Sequence, residues 1–211
     1  MSNYLLGAVV ASLALLACAP YASADEPTFE ATLAGGVRFG GDFDDLDAPN
    51  NTGDSHRLGS SSTVGVILNY QQSPGAYYEL LYGKQNASVQ STSRFDLSVE
   101  YFHLGGHLEF AEPDDRIVPY FALTLGVTRF APRHGDYQDL TDPSLALSGG
   151  AKFRLTKHFA LRADARGFAT LVDGSGKVFC VSDANGLDCR FTFKGKTFVQ
   201  GQALLGATLQ F

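Results

Sequence analysis

The sequence predicts an all-β fold: an eight-stranded antiparallel transmembrane β-barrel, wound as an up-and-down meander. Three observations predict it. Stretches with apolar residues at every second position follow one another along the chain, which is the pattern of strands with one apolar face. No segment after residue 24 is an apolar run of the roughly 18 residues a spanning helix needs, so a membrane span must be built from strands. The polar connections between the strands alternate in length, as the two ends of a transmembrane barrel require.

The chain begins with a targeting segment. Leu5 to Leu16 is an apolar run broken only by Gly7 and Ser12, and Ala22-Ser23-Ala24 precedes Asp25 as an A-x-A cleavage site. The expected organisation is a signal peptide over 1–24 and one barrel domain over 25–211. Leu15-Leu16-Ala17-Cys18 offers the alternative of an acylated Cys18.

The first strand is expected over Phe29 to Gly41, with Phe29, Ala31, Leu33, Gly35, Val37 and Phe39 outward and Glu30, Thr32, Ala34, Gly36 and Arg38 inward. Residues 42–60 read as a long Asp/Asn/Gly/Ser loop. The second strand, Ser62 to Gln72, turns Val64, Val66, Leu68 and Tyr70 outward and ends at the tight turn Ser73-Pro74-Gly75. The third, Ala76 to Gln85, turns Tyr78, Leu80 and Tyr82 out and Tyr77, Glu79 and Leu81 in, before a loop over 86–94. The fourth, Phe95 to Phe110, carries Leu97, Val99 and Tyr101 in one phase and Phe102, Leu104, Leu108 and Phe110 in the other. That conflict predicts a β-bulge between Tyr101 and Gly106.

After a short turn over 111–116, the fifth strand spans Ile117 to Phe130, with Phe121, Leu123, Leu125 and Val127 outward and Tyr120, Thr124 and Thr128 inward. Residues 131–143 contain two prolines and read as a loop. The sixth strand, Ser144 to Leu155, places Ser148, Lys152 and Arg154 inward, and Thr156-Lys157-His158 is a tight turn. The seventh, Phe159 to Leu171, places Arg162, Asp164 and Arg166 inward. A loop over 172–190 follows. In it Cys180 and Cys189 enclose a polar segment with an Asn-Gly turn signal, which predicts a disulfide in an oxidising compartment. The eighth strand closes the chain from Phe198 to Phe211.

Gly206-x-x-Leu209-x-Phe211 resembles the assembly signal that ends the strands of outer-membrane barrels. Together with Tyr101-Phe102-His103-Leu104-Gly105-Gly106 and Arg162-x-Asp164-x-Arg166-Gly167, it makes the chain similar to the OmpA-like family of small eight-stranded outer-membrane β-barrel proteins of Gram-negative bacteria. The resemblance covers Thr28 to Phe211. It implies location in the cell outer membrane, with outer-membrane lipid, lipopolysaccharide and the barrel assembly machinery as partners. It says little about activity, because such barrels serve structural, adhesive and resistance roles.

An eight-stranded barrel has an interior that side chains fill, so inward charges must pair. The expected lumen network is Glu30, Arg38, Glu79, Glu100, Lys152, Arg154, Arg162, Asp164 and Arg166, acting as a plug or as a gate. Tyr70, Tyr78, Tyr82, Tyr101, Phe39, Phe153 and Phe211 are expected in the outward girdles at the two interfaces. His103 and His107 lie about 13 Å apart on an extended strand, too far to share a metal. Asp42, Asp44, Asp45, Asp47 and Asp54 form an acidic loop without the glycine and final glutamate of an EF-hand. No cofactor or metal site is expected.

A net charge of −6 disfavours nucleic acid as a partner. Lipid A deacylation needs a serine beside a histidine on the lipid-facing rim. Ser98 and Ser148 are expected to point inward with no histidine in phase. The function expected is therefore non-enzymatic: a structural or surface-interaction role through the outer loops, with an extracellular ligand of those loops as a further candidate partner. A narrow porin-like channel and a lipid A-modifying enzyme are the alternatives.

Overall fold

The computed structural model describes residues 29–45, 55–57, 60–89, 95–111, 115–132, 139–172, 177–183, 186–193 and 197–211. The leader, its cleavage site, Cys18, Asp47 and Asp54 lie outside them. The described residues form twelve strands: β1 (Phe29–Gly40), β2 (Asp42–Asp45), β3 (Ser55–Arg57), β4 (Ser61–Ser73), β5 (Ala76–Val89), β6 (Phe95–Glu109), β7 (Ile117–Pro132), β8 (Leu140–Arg154), β9 (Phe159–Leu171), β10 (Lys177–Asp183), β11 (Gly186–Phe193) and β12 (Thr197–Gln210).

Eight of them close into an antiparallel barrel in the order β1-β12-β9-β8-β7-β6-β5-β4. That is the expected meander. The closing seam pairs the first and last barrel strands from Glu30↔Gln210 to Gly40↔Gln200. At its foot, Phe29 and Phe211 exchange backbone hydrogen bonds of 3.3 and 2.9 Å. Both ends of the barrel sequence therefore sit at one rim, together with the short turns 74–75 and 155–158.

The other four strands form a separate sheet, β10-β11-β2-β3. This corrects the reading of 42–60 and 172–190 as plain loops. Asp42, Asp44 and Asp45 lie on β2, which pairs with β11 at Asp44↔Thr192 and Asp45↔Phe191. β2 and β3 are too short and polar to signal strands, and the apolar residues of β10 and β11 stand beside the turn signals of the cysteine segment; the pairing itself needs only backbone donors and acceptors. The chain leaves the barrel for this sheet through Gly40 and Gly41, at φ of 87° and 96°. Only glycine adopts such angles without strain. At Gly41 an added Cβ would also lie 2.4 Å from the Phe198 ring.

Two further expectations fail. β6 holds unbroken register with β5 from Ala76↔Leu108 to Val89↔Phe95, and with β7 from Leu97↔Pro132 to Glu109↔Tyr120, so there is no bulge between Tyr101 and Gly106. Leu97, Val99 and Tyr101 are apolar because they join the buried cluster of the lumen, while Phe102, Leu104 and Leu108 are apolar because they face outward. Likewise β8 begins at Leu140 and passes through Pro143, which sits opposite Val127. The proline lacks one ladder donor, but the rungs Gly126↔Ser144 and Thr128↔Asp142 hold the ladder on either side of it.

The barrel is inverted relative to a soluble protein. Leu205 and Leu125 are 73% and 65% exposed, whereas Glu79, Lys152, His107 and Arg38 are fully buried. Outward Leu33, Val64, Phe102, Leu104, Leu123, Leu147, Leu161 and Val199 continue the greasy surface around the wall. A contiguous apolar belt of this extent needs a nonaqueous surrounding. Tyr70, Tyr78, Phe110, Phe153 and Phe211 face outward near the rim with the termini, and Phe39 and Tyr82 nearer the other. Tyr101 is the exception to the expected girdle. It follows the inward phase of β6 and is wholly buried in the lumen.

Candidate functional site: the filled lumen

The inward faces divide into two zones along the barrel axis. Toward the rim with the termini, charged side chains form one connected network. Lys152 on β8 bridges Glu30 on β1 and Glu109 on β6. Asn69 Nδ2 and Gln210 Nε2 donate to the two oxygens of Glu30 at 2.9 and 2.7 Å. His107 joins this group to the next. Its Nδ1 is 3.1 Å from Glu79 Oε2, its Nε2 is 3.4 Å from Glu109 Oε1, and its ring stacks on Tyr120 with centroids 4.5 Å apart.

Glu79 on β5 then receives Arg162 Nη2 at 2.8 Å and Arg166 Nη2 at 2.7 Å from β9. β5 and β9 are diametrically opposite in the barrel order, so these bonds cross the full width of the lumen. Asp164 lies 3.1 and 3.2 Å from the same two guanidinium nitrogens. Tyr120 donates its hydroxyl proton to Asp164 Oδ2 at 2.7 Å and accepts from Arg162 Nε at 2.9 Å. Opposite Tyr120 in the ladder stands Gly150, where an added Cβ would lie 2.5 Å from the hydroxyl. Glycine there makes room for the ring.

Toward the other rim the filling turns apolar. Ile67, Leu81, Leu97, Val99, Tyr101, Phe130, Ala146, Phe168, Val172 and Phe198 form one buried cluster. Tyr101 stacks on Phe168 at 4.0 Å, and Phe130 meets Phe198 edge-on at 5.1 Å. Arg38 lies among these rings, its Cζ 4.6 Å from the Tyr101 centroid and 5.2 Å from that of Phe168. Its Nε donates to Gln202 Oε1 at 2.8 Å, and its Nη1 has no hydrogen-bond partner among the described residues. Tyr101 spans the barrel to Gln200 Oε1 at 2.9 Å.

Of the nine charges expected in the lumen, Glu30, Glu79, Lys152, Arg162, Asp164 and Arg166 meet in the network. Arg38 is buried but stands apart in the aromatic zone. Arg154 lies at the rim, 3.6 Å from Glu109 and 28% exposed. Glu100 is a correction: on an unbroken β6 it shares the outward phase of Phe102 and Leu104, and it pairs with Lys84 at 2.6 Å on the outer wall. The assumed bulge also hid Glu109 and His107, which a strict two-residue phase from Tyr101 would have found. Ser148 is buried in the lumen as expected, whereas Ser98 is buried on the phase of β6 opposite Tyr101. His103 pairs with Thr124 Oγ1 at 3.2 Å and Ser144 Oγ at 2.8 Å, so neither buried histidine stands beside either serine. The register sets Cys180 directly opposite Cys189 in the β10–β11 pair.

A wall greasy outside and charged inside is the architecture of bacterial outer-membrane barrels. The sequence agrees: residues 8–194 match the family model described as outer membrane protein beta-barrel domain. The chain belongs to this outer-membrane β-barrel family. Solved structures share the fold at low identity. Neisserial surface protein A is 14% identical, with a TM-score of 0.60 over 87% of this chain and 97% of that one. OprG from Pseudomonas aeruginosa is 14% identical, with a TM-score of 0.58 over 88% and 97%. The N-terminal barrel domain of Pseudomonas aeruginosa OprF is 14% identical, with a TM-score of 0.50 over 88% and 98%. No curated protein sequence matches the chain. Membership places the barrel in the outer membrane. With short turns on the periplasmic side, the ionic zone is periplasmic and the aromatic zone opens toward the cell exterior.

Proposed function

We propose that the protein is a non-enzymatic, non-conducting outer-membrane barrel whose working surface is its outer end, where the β10-β11-β2-β3 sheet is built from the first and last long connections. The observation that carries this reading is the filled lumen. Ion pairs cross the periplasmic half at full width and stacked rings occupy the outer half, so transport would require both fillings to rearrange. Two opposed cysteines on β10 and β11 fit a disulfide that staples the outer sheet. The leader over 1–24 would be cleaved after Ala24, and Gly206, Leu209 and Phe211 on the closing strand would be read by the barrel assembly machinery.

The test is single-channel recording of refolded mature protein in a planar bilayer, with heat-shifted gel mobility as proof of folding. The expected result is a folded, silent barrel. Discrete conductance steps would overturn the reading and make the Glu79–Arg162–Arg166 crossbar a gate. Overexpression is expected to leave the mass spectrum of lipid A unchanged, and a lost or added acyl chain would overturn the non-enzymatic assignment.

A further inference from the structure

The outer sheet repeats the order of the wall beneath it. Its strands β10-β11-β2-β3 adjoin in sequence β9, β12, β1 and β4, which are neighbours in that same order in the barrel. The register carries over as well. From the wall pair Leu171↔Thr197 the chain runs six residues on to Lys177 and five back to Thr192, and these two pair in the sheet. The sheet is therefore four adjacent wall strands continued beyond the outer rim. In it β10 runs away from the membrane, with Lys177 at its root and Asp183 at its tip.

β3 and β10 are the two edges of this sheet. β3 has three residues and carries Arg57, and a short charged edge resists pairing. β10 has seven residues, Lys177-Val178-Phe179-Cys180-Val181-Ser182-Asp183, and among the described residues its ladder partner is β11, on one side only. Its charges stand at the two ends, and the five residues between include two valines and a phenylalanine but no proline or glycine. An edge of that composition pairs readily with a further strand. The order of its residues also selects the strand. Antiparallel pairing with a second β10, centred on Cys180, sets Lys177 opposite Asp183 of the partner subunit at both ends. Parallel pairing in register sets lysine beside lysine and aspartate beside aspartate, which repel.

We propose that β10 joins a second copy of this chain, edge to edge and antiparallel, across two facing outer membranes. The direction of β10 dictates the arrangement. In two copies of one membrane both β10 strands run outward and meet only in parallel, whereas the antiparallel pair requires copies that approach from opposite sides. Cys180 lies nine residues beyond Leu171, about 30 Å of extended chain, so the two rims stand at most about 60 Å apart. One such contact is a single strand pair and weak alone, but many copies between two membranes act together. The proposal rests on the reading of the outer sheet as the working surface of the barrel, with the termini in the periplasm.

The experiment mixes phosphatidylcholine vesicles labelled with a donor or an acceptor lipid, each carrying refolded mature protein, and reads clustering by energy transfer and light scattering. Wild type is expected to cluster vesicles that protein-free controls leave dispersed. Lys177→Asp and Asp183→Lys, each checked for heat-shifted mobility, should each reduce clustering by about tenfold, because each sets like charges opposite. Mixing Lys177→Asp vesicles with Asp183→Lys vesicles should restore it, since opposite charges then meet at both ends. Dispersed wild-type vesicles would overturn the contact; silence of the same protein in single-channel recording would leave the closed barrel standing. Clustering undiminished in a folded Lys177→Asp barrel, or not restored by the mixture, would overturn it too. So would crosslinked dimers in vesicles that stay dispersed, which set both copies in one membrane.

Discussion

The two halves of the lumen solve the same problem with opposite chemistry. The periplasmic half is filled by Glu30, Glu79, Glu109, Lys152, Arg162, Asp164 and Arg166, held in fixed pairs across the barrel. The outer half is filled by Tyr101, Phe130, Phe168 and Phe198, packed like the core of a soluble domain. Both exclude water from a space only wide enough for side chains. They differ in what happens when one member is removed. An ion network leaves an uncompensated charge, whereas an apolar cluster leaves a cavity.

The sharpest way to break the comparison is Glu79→Ala. It leaves Arg162 and Arg166 with Asp164 as their only remaining carboxylate contact among the described residues, and should cost about 3–5 kcal/mol. The shift would be read as a lower urea midpoint in the gel-mobility assay of unfolding. Glu79→Gln should cost nearly as much, because it keeps the shape and removes the charge. Phe168→Ala removes the ring stacked on Tyr101 and should cost about 3 kcal/mol. If it costs more than Glu79→Ala, the apolar half dominates and the ranking of the two zones is inverted.

His107→Gln tests the join between the two ion-pair groups. The histidine contacts Glu79, Glu109 and Tyr120, and its loss should cost about 1–3 kcal/mol. Double substitution with Glu79→Ala should then be clearly non-additive, because the residues share partners. The smallest effects come from a matched control. Thr32 meets Thr208 at 2.8 Å in the periplasmic half, and Thr128 meets Thr170 at 2.8 Å in the outer half. Thr32→Val and Thr128→Val should each cost about 1 kcal/mol. Equal costs would leave charge as the difference between the halves; unequal costs would point to a difference in packing.

The strand pattern was legible because a barrel wall imposes a period of two on every strand, and seven of the eight barrel strands kept their phase in full. β6 did not read correctly, and the reason is informative. Its inward residues Leu97, Val99 and Tyr101 are apolar, and an apolar residue was expected to face lipid. A bulge was then needed to reconcile them with Phe102 and Leu104. That single assumption misplaced Glu100, sent Tyr101 to the outer girdle and hid Glu109 and His107. The outer sheet was missed for a different reason. β2 and β3 are short and largely polar, and although β11 alternates Leu187, Cys189, Phe191 and Phe193, that run lies in a segment whose turn signals and two cysteines favour a loop.

By itself the sequence determined the wall: how many strands cross, which rim holds the short turns, which face is greasy and which residues point inward along most strands. These follow from local alternation and turn chemistry, which each segment carries alone. The tertiary structure decided who meets whom. Glu79 and Arg162 are 83 residues apart and on opposite sides of the barrel, and Glu30 and Lys152 are 122 apart. Their pairing depends on ring closure and on the stagger of eight strands, which no single segment encodes. The division of the lumen into an ionic and an aromatic half arises in the same way, because the axial height of an inward residue is fixed only once the barrel has closed.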